Sequence, residues 1–267
     1  MHPIERLRMV ARAGREEATL LGRESASALA SFADEPATLV TACRRLVDRQ
    51  PTCGPVWWVA ARVLSAPDPA REAWRAGDAL CRDPTASALA AALPEEGSVV
   101  VLGWPEKAAE ALARRGDVRA FVVDALDEGS TLAGWLQRSG SDVELVPESG
   151  LGAAVAASGL VLLEASALGL AGFVAVSGSA AAATVARQAG IPVWAVAGEG
   201  RVLPGMLWDE IAGRMGARGS PWAEAEEIVP LDWVDAVAGP DGVVSVSDAL
   251  DRPTCPPAPE LVNPASR

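Results

Sequence analysis

The sequence predicts an α/β protein, with an N-terminal helical bundle followed by a parallel β-sheet covered on both faces. Three observations carry that prediction. The first third repeats its apolar residues at helical spacing. At "PEEGSVVVLG" (94–103) the period becomes strand-like, and beyond it short β-branched runs alternate with helix-like segments. Strands that are apolar on both faces need cover on both sides, the condition met by a parallel sheet between helices. The predicted organisation is a helical domain over 1–94 and an α/β domain over 95–267.

The helices come first. Ile4, Leu7 and Ala11, then Ala18 and Leu21, form one apolar stripe between Arg and Glu. Pro36 opens a second helix with Leu39, Cys43, Leu46 and Val47 on its apolar face, ending near Gln50 because Pro51 follows. "PVWWVAARVL" (55–64) is a third. "DPAREAWRAGDALC" (68–81) is a fourth, with Asp68 as N-cap and Pro69 at the first helical position, and "DPTASALAAAL" (83–93) repeats that start.

Strands are predicted at "SVVVLG", "RAFVVD" (119–124), "DVELVP" (142–147), "LVLLEA" (160–165), "GFVAVSG" (172–178) and "IPVWAVAG" (191–198). Helices fall between them over 105–115, 129–139, 150–158 and 179–189. In such a sheet ligands bind beyond the carboxyl ends of the strands. The tail "DRPTCPPAPELVNPASR" cannot sustain a helix or central strand and is expected as an extended surface segment, either packed on a partner subunit or loose.

Composition narrows the function. The net charge of −12, from 35 acidic against 23 basic residues, opposes a nucleic-acid or anionic-membrane partner. The four cysteines form no Cys-x-x-Cys pair, and His2 is the sole histidine, so a metal site and histidine triads are not expected. The start of the chain has no uninterrupted apolar core, which points to a cytoplasmic protein with reduced thiols. Residues 150–186 hold only Glu164 as a charge, yet Gly159, Gly169, Gly172 and Gly178 interrupt them, so a buried strand and helix passage explains them better than a membrane span. The Ala-, Arg- and Trp-rich, lysine-poor composition points to a GC-rich bacterial source.

No nucleotide cofactor is indicated. "ESGLGAAVAASG" (148–159) has only Gly150 and Gly152 of a dinucleotide fingerprint, with Val155 in the third place, and the only lysine, Lys107, lies in no P-loop. Trp57 and Trp58 read as core and subunit-contact residues, and Trp104 as a lid just after the first strand.

"RQPTCGPVWWVAARVL" (49–64), "VVDALDEGSTLAGWLQRSGSDVELVPESGLGAAVA" (122–156) and "LVLLEASALGLAGFVAVSGSAAAATVARQAGIPVWAVAG" (160–198) together resemble one family. It contains methylthioribose-1-phosphate isomerase, ribose-1,5-bisphosphate isomerase and the alpha, beta and delta subunits of eukaryotic initiation factor 2B. The resemblance implies a Rossmann-like (NagB/RpiA/CoA-transferase-like) second domain and a homodimer whose interface includes the C-terminal third. The isomerases' reactive features are replaced here. Where they carry Thr-His-Cys this chain has "VLGWP", where they carry a phosphate-contacting Arg it has "VVDALDEG", and Ser166 stands at the catalytic Asp. Their Asn-Lys falls on Ala175 and Val176.

The resemblance therefore implies a non-catalytic member that binds a phosphorylated sugar, a nucleotide or a partner protein. The alternatives are a sugar-phosphate aldose–ketose isomerase with a rearranged site, or a structural dimeric scaffold. Candidate ligand-binding residues are Arg49, Thr52, Trp104, Glu148, Ser149, Glu164, Ser166, Gly178 and Ser179, with Arg49 on phosphate and Gly178 allowing close backbone approach. Glu164 is the one candidate catalytic acid. It lies two residues and ~6–7 Å along an extended strand from the place of the lost Asp, so a structural ion pair with Arg49 is the expected role. Arg49, Thr52, Trp104, Glu148, Glu164, Ser166 and Ser179 are expected to converge on one cleft.

Overall fold

The computed structural model describes residues 17–217, 219–251 and 254–262. The predicted stripe through Ile4, Leu7 and Ala11, together with His2, lies outside them.

Five helices come first: α1 (Ala18–Leu29), α2 (Pro36–Arg49), α3 (Gly54–Ser65), α4 (Pro69–Cys81) and α5 (Thr85–Ala92). Asp68 caps α4 by accepting from the Arg71 amide at 3.0 Å, with Pro69 in the first turn, where its missing N–H costs nothing. Helix α3 is apolar all round and correspondingly central, with Trp57 and Trp58 fully buried.

The α/β part begins with β1 (Ser98–Leu102), α6 (Glu106–Ala113), β2 (Arg119–Val123), α7 (Gly129–Arg138), β3 (Val143–Val146), α8 (Leu151–Ala156) and β4 (Leu160–Glu164). It continues with β5 (Ala167–Gly169), β6 (Gly172–Val176), α9 (Ser179–Ala189), β7 (Val193–Val196), α10 (Gly205–Gly216) and β8 (Glu226–Pro230). The last elements are β9 (Ala236–Gly239), β10 (Gly242–Val244) and α11 (Val246–Asp251).

The main sheet has the order β10-β9-β7-β4-β1-β2-β3 and is parallel except for β10. Side chains alternate across it. Val99 and Val101 bury against α5, α6 and α7, whereas Val100 and Leu102 bury on the face covered by α8 and α9. The chain runs outward from β1 through β2 to β3, then returns to β4 on the other side of β1. Only Val99↔Leu160 and Val100↔Val161 pair across that reversal, against five pairs between β1 and β2. A crevice opens there at the carboxyl ends, the position such topologies favour for ligands.

Two expectations are corrected. The segment 172–178 contributes no strand to the main sheet. Leu170 and Ala171 alone separate β5 from β6, a connection too short for a parallel crossover, so the pair is an antiparallel hairpin that β8 extends to three strands. Nor is the described part of the proline-rich tail loose or dependent on a partner. Cys255, Ala258 and Leu261 are buried in the core of the helical region, Trp58 Nε1 donates to Thr254 Oγ1 at 3.0 Å, and Arg44 Nε donates to the Glu260 carbonyl at 2.6 Å. The spaced apolar side chains let an extended segment act as a strap. Among the described residues, no helix is long and apolar enough to cross a membrane.

Candidate functional site

A cleft of about 510 Å³ occupies the crevice. Its floor is the end of β1 (Leu102) and of β4 (Leu162 to Glu164). Its walls come from Thr52 and Cys53 before α3, Trp104 to Glu106 at the start of α6, Asp127, Glu128 and Thr131 around the start of α7, and Ser179 at the start of α9. The ionisable lining is one-sided: Glu17, Glu106, Asp127, Glu128, Glu164 and Glu226 stand against a single arginine, Arg201.

Glu164 is the hub of a buried ionic network. Its Oε2 accepts the Lys107 and Ala108 amides at the start of α6, at 2.8 and 3.1 Å, and its Oε1 accepts Arg201 Nη1 at 2.8 Å. Arg201 also donates to the Ala165 carbonyl and to Glu106 Oε2, both at 2.9 Å. The side chains of Arg201 and Glu164 are 3% and 9% exposed, so water screens their attraction little. Burial pushes the Glu164 carboxyl above the usual range, against the pull of Arg201. Burial would raise Glu106 as well, but Arg201 and Lys107 outweigh it and hold that carboxyl low. Lys107 Nζ lies 3.3 Å from Glu106, 3.6 Å from Asp83 and 3.9 Å from Glu110.

The helix starts around the cleft share a further feature. A helix N-terminus is a ready-made anion site because its first amides lack partners within the helix. At three of them, the starts of α6, α7 and α9, a carboxylate of the chain itself engages an amide, whereas the first amide of α3, at Gly54, donates to the Ser166 carbonyl at 2.9 Å. Glu164 takes α6, Asp124 Oδ1 accepts the Ser130 amide of α7 at 2.9 Å, and Glu227 Oε1 accepts the Ala180 amide of α9 at 2.9 Å.

No protein-family model matches the chain, and no curated protein matches it either. Solved structures do. The translation initiation factor eIF-2B of Pyrococcus horikoshii OT3 superposes with a TM-score of 0.77 at 14% identity, over 93% of this chain and 98% of that one. A chain of the tetrameric eIF2B-beta2-delta2 complex from C. thermophilum gives 0.73 at 16%, over 93% and 92%. The 5-methylthioribose 1-phosphate isomerase of P. horikoshii OT3 gives 0.64 at 17%, over 93% and 86%. This chain has the initiation factor 2B fold.

On that fold, Thr52, Trp104, Glu164, Ser166 and Ser179 converge on the cleft. Arg49 does not, because the last turn of α2 leaves it exposed, and the partner of Glu164 is Arg201 instead. Glu148 and Ser149 are exposed and outside the lining. Glu148 Oε1 accepts the Leu126 amide at 3.2 Å and so braces the turn that carries Asp127. Gly178 is also outside it; with φ at +97° it makes the left-handed turn into α9, a conformation that glycine adopts without strain. Ser166 Oγ donates to Glu226 Oε1 at 3.1 Å.

Sequence reading missed Arg201, Glu106 and Cys53. Arg201 follows β7, the neighbour of β4, so strand order alone would have put it beside Glu164. Cys53 lines the cleft, but burial pushes its thiol up to about 12.

Proposed function

We propose that this chain is a non-catalytic protein on the initiation factor 2B fold, whose strand-end cleft recognises a small ligand and does not isomerise sugar phosphates. The observation that carries the reading is the capture of three helix starts by Glu164, Asp124 and Glu227. A phosphorylated substrate would have to displace these carboxylates and then sit among further acidic side chains. Like charges at short range in a partly desolvated site oppose each other strongly. Arg201, the only cation in the described lining, is already committed to Glu164 and Glu106.

The lack of a working nucleophile supports the same reading. "VLGWP" follows β1 without a cysteine, and Cys53 is held as a neutral thiol, whereas thiol chemistry proceeds through the thiolate. Glu164 is unsuited to act as a general base because its two oxygens hold two amides and a guanidinium.

The test is turnover followed by phosphorus NMR, with methylthioribose-1-phosphate and ribose-1,5-bisphosphate as substrates. Neither should be converted at enzyme concentrations that leave product detectable after overnight incubation. Conversion of either, lost in Glu164→Gln, would overturn the reading.

We also propose that the chain forms a homodimer. The likeness to a chain of the tetrameric eIF2B-beta2-delta2 complex supports association between copies. Light scattering should return twice the 27.5 kDa chain mass, and a monomer mass at micromolar concentration would remove this part of the proposal.

A further inference from the structure

We propose that the strand-end cleft binds an organic ammonium ion carried on an apolar carbon chain. This deepens the proposed function and rests on the cleft being a recognition site that rejects phosphate.

Charge gives the sign of the ligand. With Glu164 and Glu106 neutralised in part by Arg201, Asp127 and Glu226 still face the cleft, and the described lining offers no second cation. The only hydrogen bond to the Glu226 side chain among the described residues comes from Ser166, on Oε1. Among the described residues its other oxygen has no donor, which leaves it for an N–H of the ligand.

A second observation, independent of charge, points to a ligand. Ser179 is 1% exposed and lines the cleft, yet its Oγ has no hydrogen-bond partner among the described residues. A buried hydroxyl left unsatisfied is costly, and a ligand that bonds to it removes that cost. The adjacent Ala180 amide is already held by Glu227. The Ser179 hydroxyl, unpartnered among the described residues, can accept from an ammonium.

The remaining lining sets the body of the ligand. Leu21, Leu102 and Val176 are apolar, and Trp104, tilted against Trp135 with ring centroids 6.0 Å apart, offers an aromatic face of the kind that attracts cations. Among the described residues no group of three or more His, Cys, Asp or Glu side chains could hold a metal ion. The carboxylates are spread along the walls, which suits an extended organic cation better than a compact one.

The experiment is calorimetric titration of the full chain with 1,5-diaminopentane and with 2-phenylethylamine, using 1,5-pentanediol as the neutral isostere of the diamine. At least one amine should bind saturably, and the diol should not. Glu226→Gln should weaken that binding by roughly tenfold, the share of one charged hydrogen bond. Ser179→Ala should weaken it while leaving the melting temperature of the free protein unchanged or raised. Glu144→Gln, on the outer sheet edge where Glu144 pairs with Arg119, should leave it intact.

The inference is overturned if neither amine binds. It is also overturned if Glu144→Gln weakens binding as much as Glu226→Gln, which would mark diffuse attraction to an acidic chain, or if both cleft variants bind like the parent. Failure of the amines together with failure of ribose-1,5-bisphosphate sinks this inference and leaves the proposed function standing. Saturable binding of the bisphosphate removes both.

Discussion

Replacing Glu164 by Gln keeps the shape of the side chain and removes its charge, in a site where three donors converge on two oxygens. The amide can offer one oxygen, either to the α6 amides or to Arg201, and its NH2 must then face a donor. Breaking a buried ion pair from one side costs about 3–5 kcal/mol, since the other charge stays buried. Two features place Glu164→Gln at the low end. Arg201 keeps Glu106 and the Ala165 carbonyl, and burial already disfavours the charged form of Glu164. A loss of about 3 kcal/mol corresponds to a fall of roughly 6–12 °C in melting temperature for a chain of this size. Arg201→Met belongs at the upper end, because Glu164 and Glu106 would then face each other. Urea unfolding followed by tryptophan fluorescence gives both values, and the double variant gives their coupling. It should lose less than the sum of the singles, because each single change leaves a charge that the other removes. An unchanged melt in Glu164→Gln, or strict additivity in the double variant, would refute the network as the structural hub.

Three further outcomes follow from the same geometry. Glu106 is held below the ordinary carboxylate value of 4.5, so its contribution to stability is present above that value and lost as the pH falls through the lowered one. The urea midpoint of the parent should therefore drop on acidification below about pH 4.5 more steeply than that of Glu106→Gln. Burial pushes the thiols of Cys43, Cys53 and Cys255 up to about 12, whereas Cys81 is exposed. A disulfide reagent at neutral pH should label one thiol in the native protein, none in Cys81→Ser, and all four of the parent in urea. A Cβ at Gly169 would fall inside the indole of the buried Trp208. Gly169→Ala should cost about 1–3 kcal/mol by overpacking, and a neutral effect in the urea melt would contradict that packing.

Local signals in the sequence carried most of the elements. Asp68-Pro69 marks the start of α4, and the run over 179–189 coincides with α9. The change of period after Ala92 separates the helices from β1. Contacts that depend on strand order were not legible in that way. Arg201 and Glu164 lie 37 residues apart and meet only because β7 is the neighbour of β4. Glu227 reaches α9 from β8, a strand that joins the hairpin from far along the chain. Resemblance pointed to Arg49, but where its side chain goes is decided by the last turn of α2, which turns it to solvent. The prolines of the tail predict an extended surface segment, packed on a partner subunit or loose, whereas Cys255, Ala258 and Leu261 anchor it to the chain's own helical core.

The proposed exclusion of phosphate rests on the chain's own carboxylates at the starts of α6, α7 and α9. Calorimetric titration of ribose-1,5-bisphosphate into the native protein at low ionic strength tests it most directly, since weak phosphate binding is strongest there. No saturable heat is expected up to millimolar ligand. A saturable isotherm that disappears in Arg201→Met would show phosphate drawing Arg201 away from Glu164 and would contradict that exclusion.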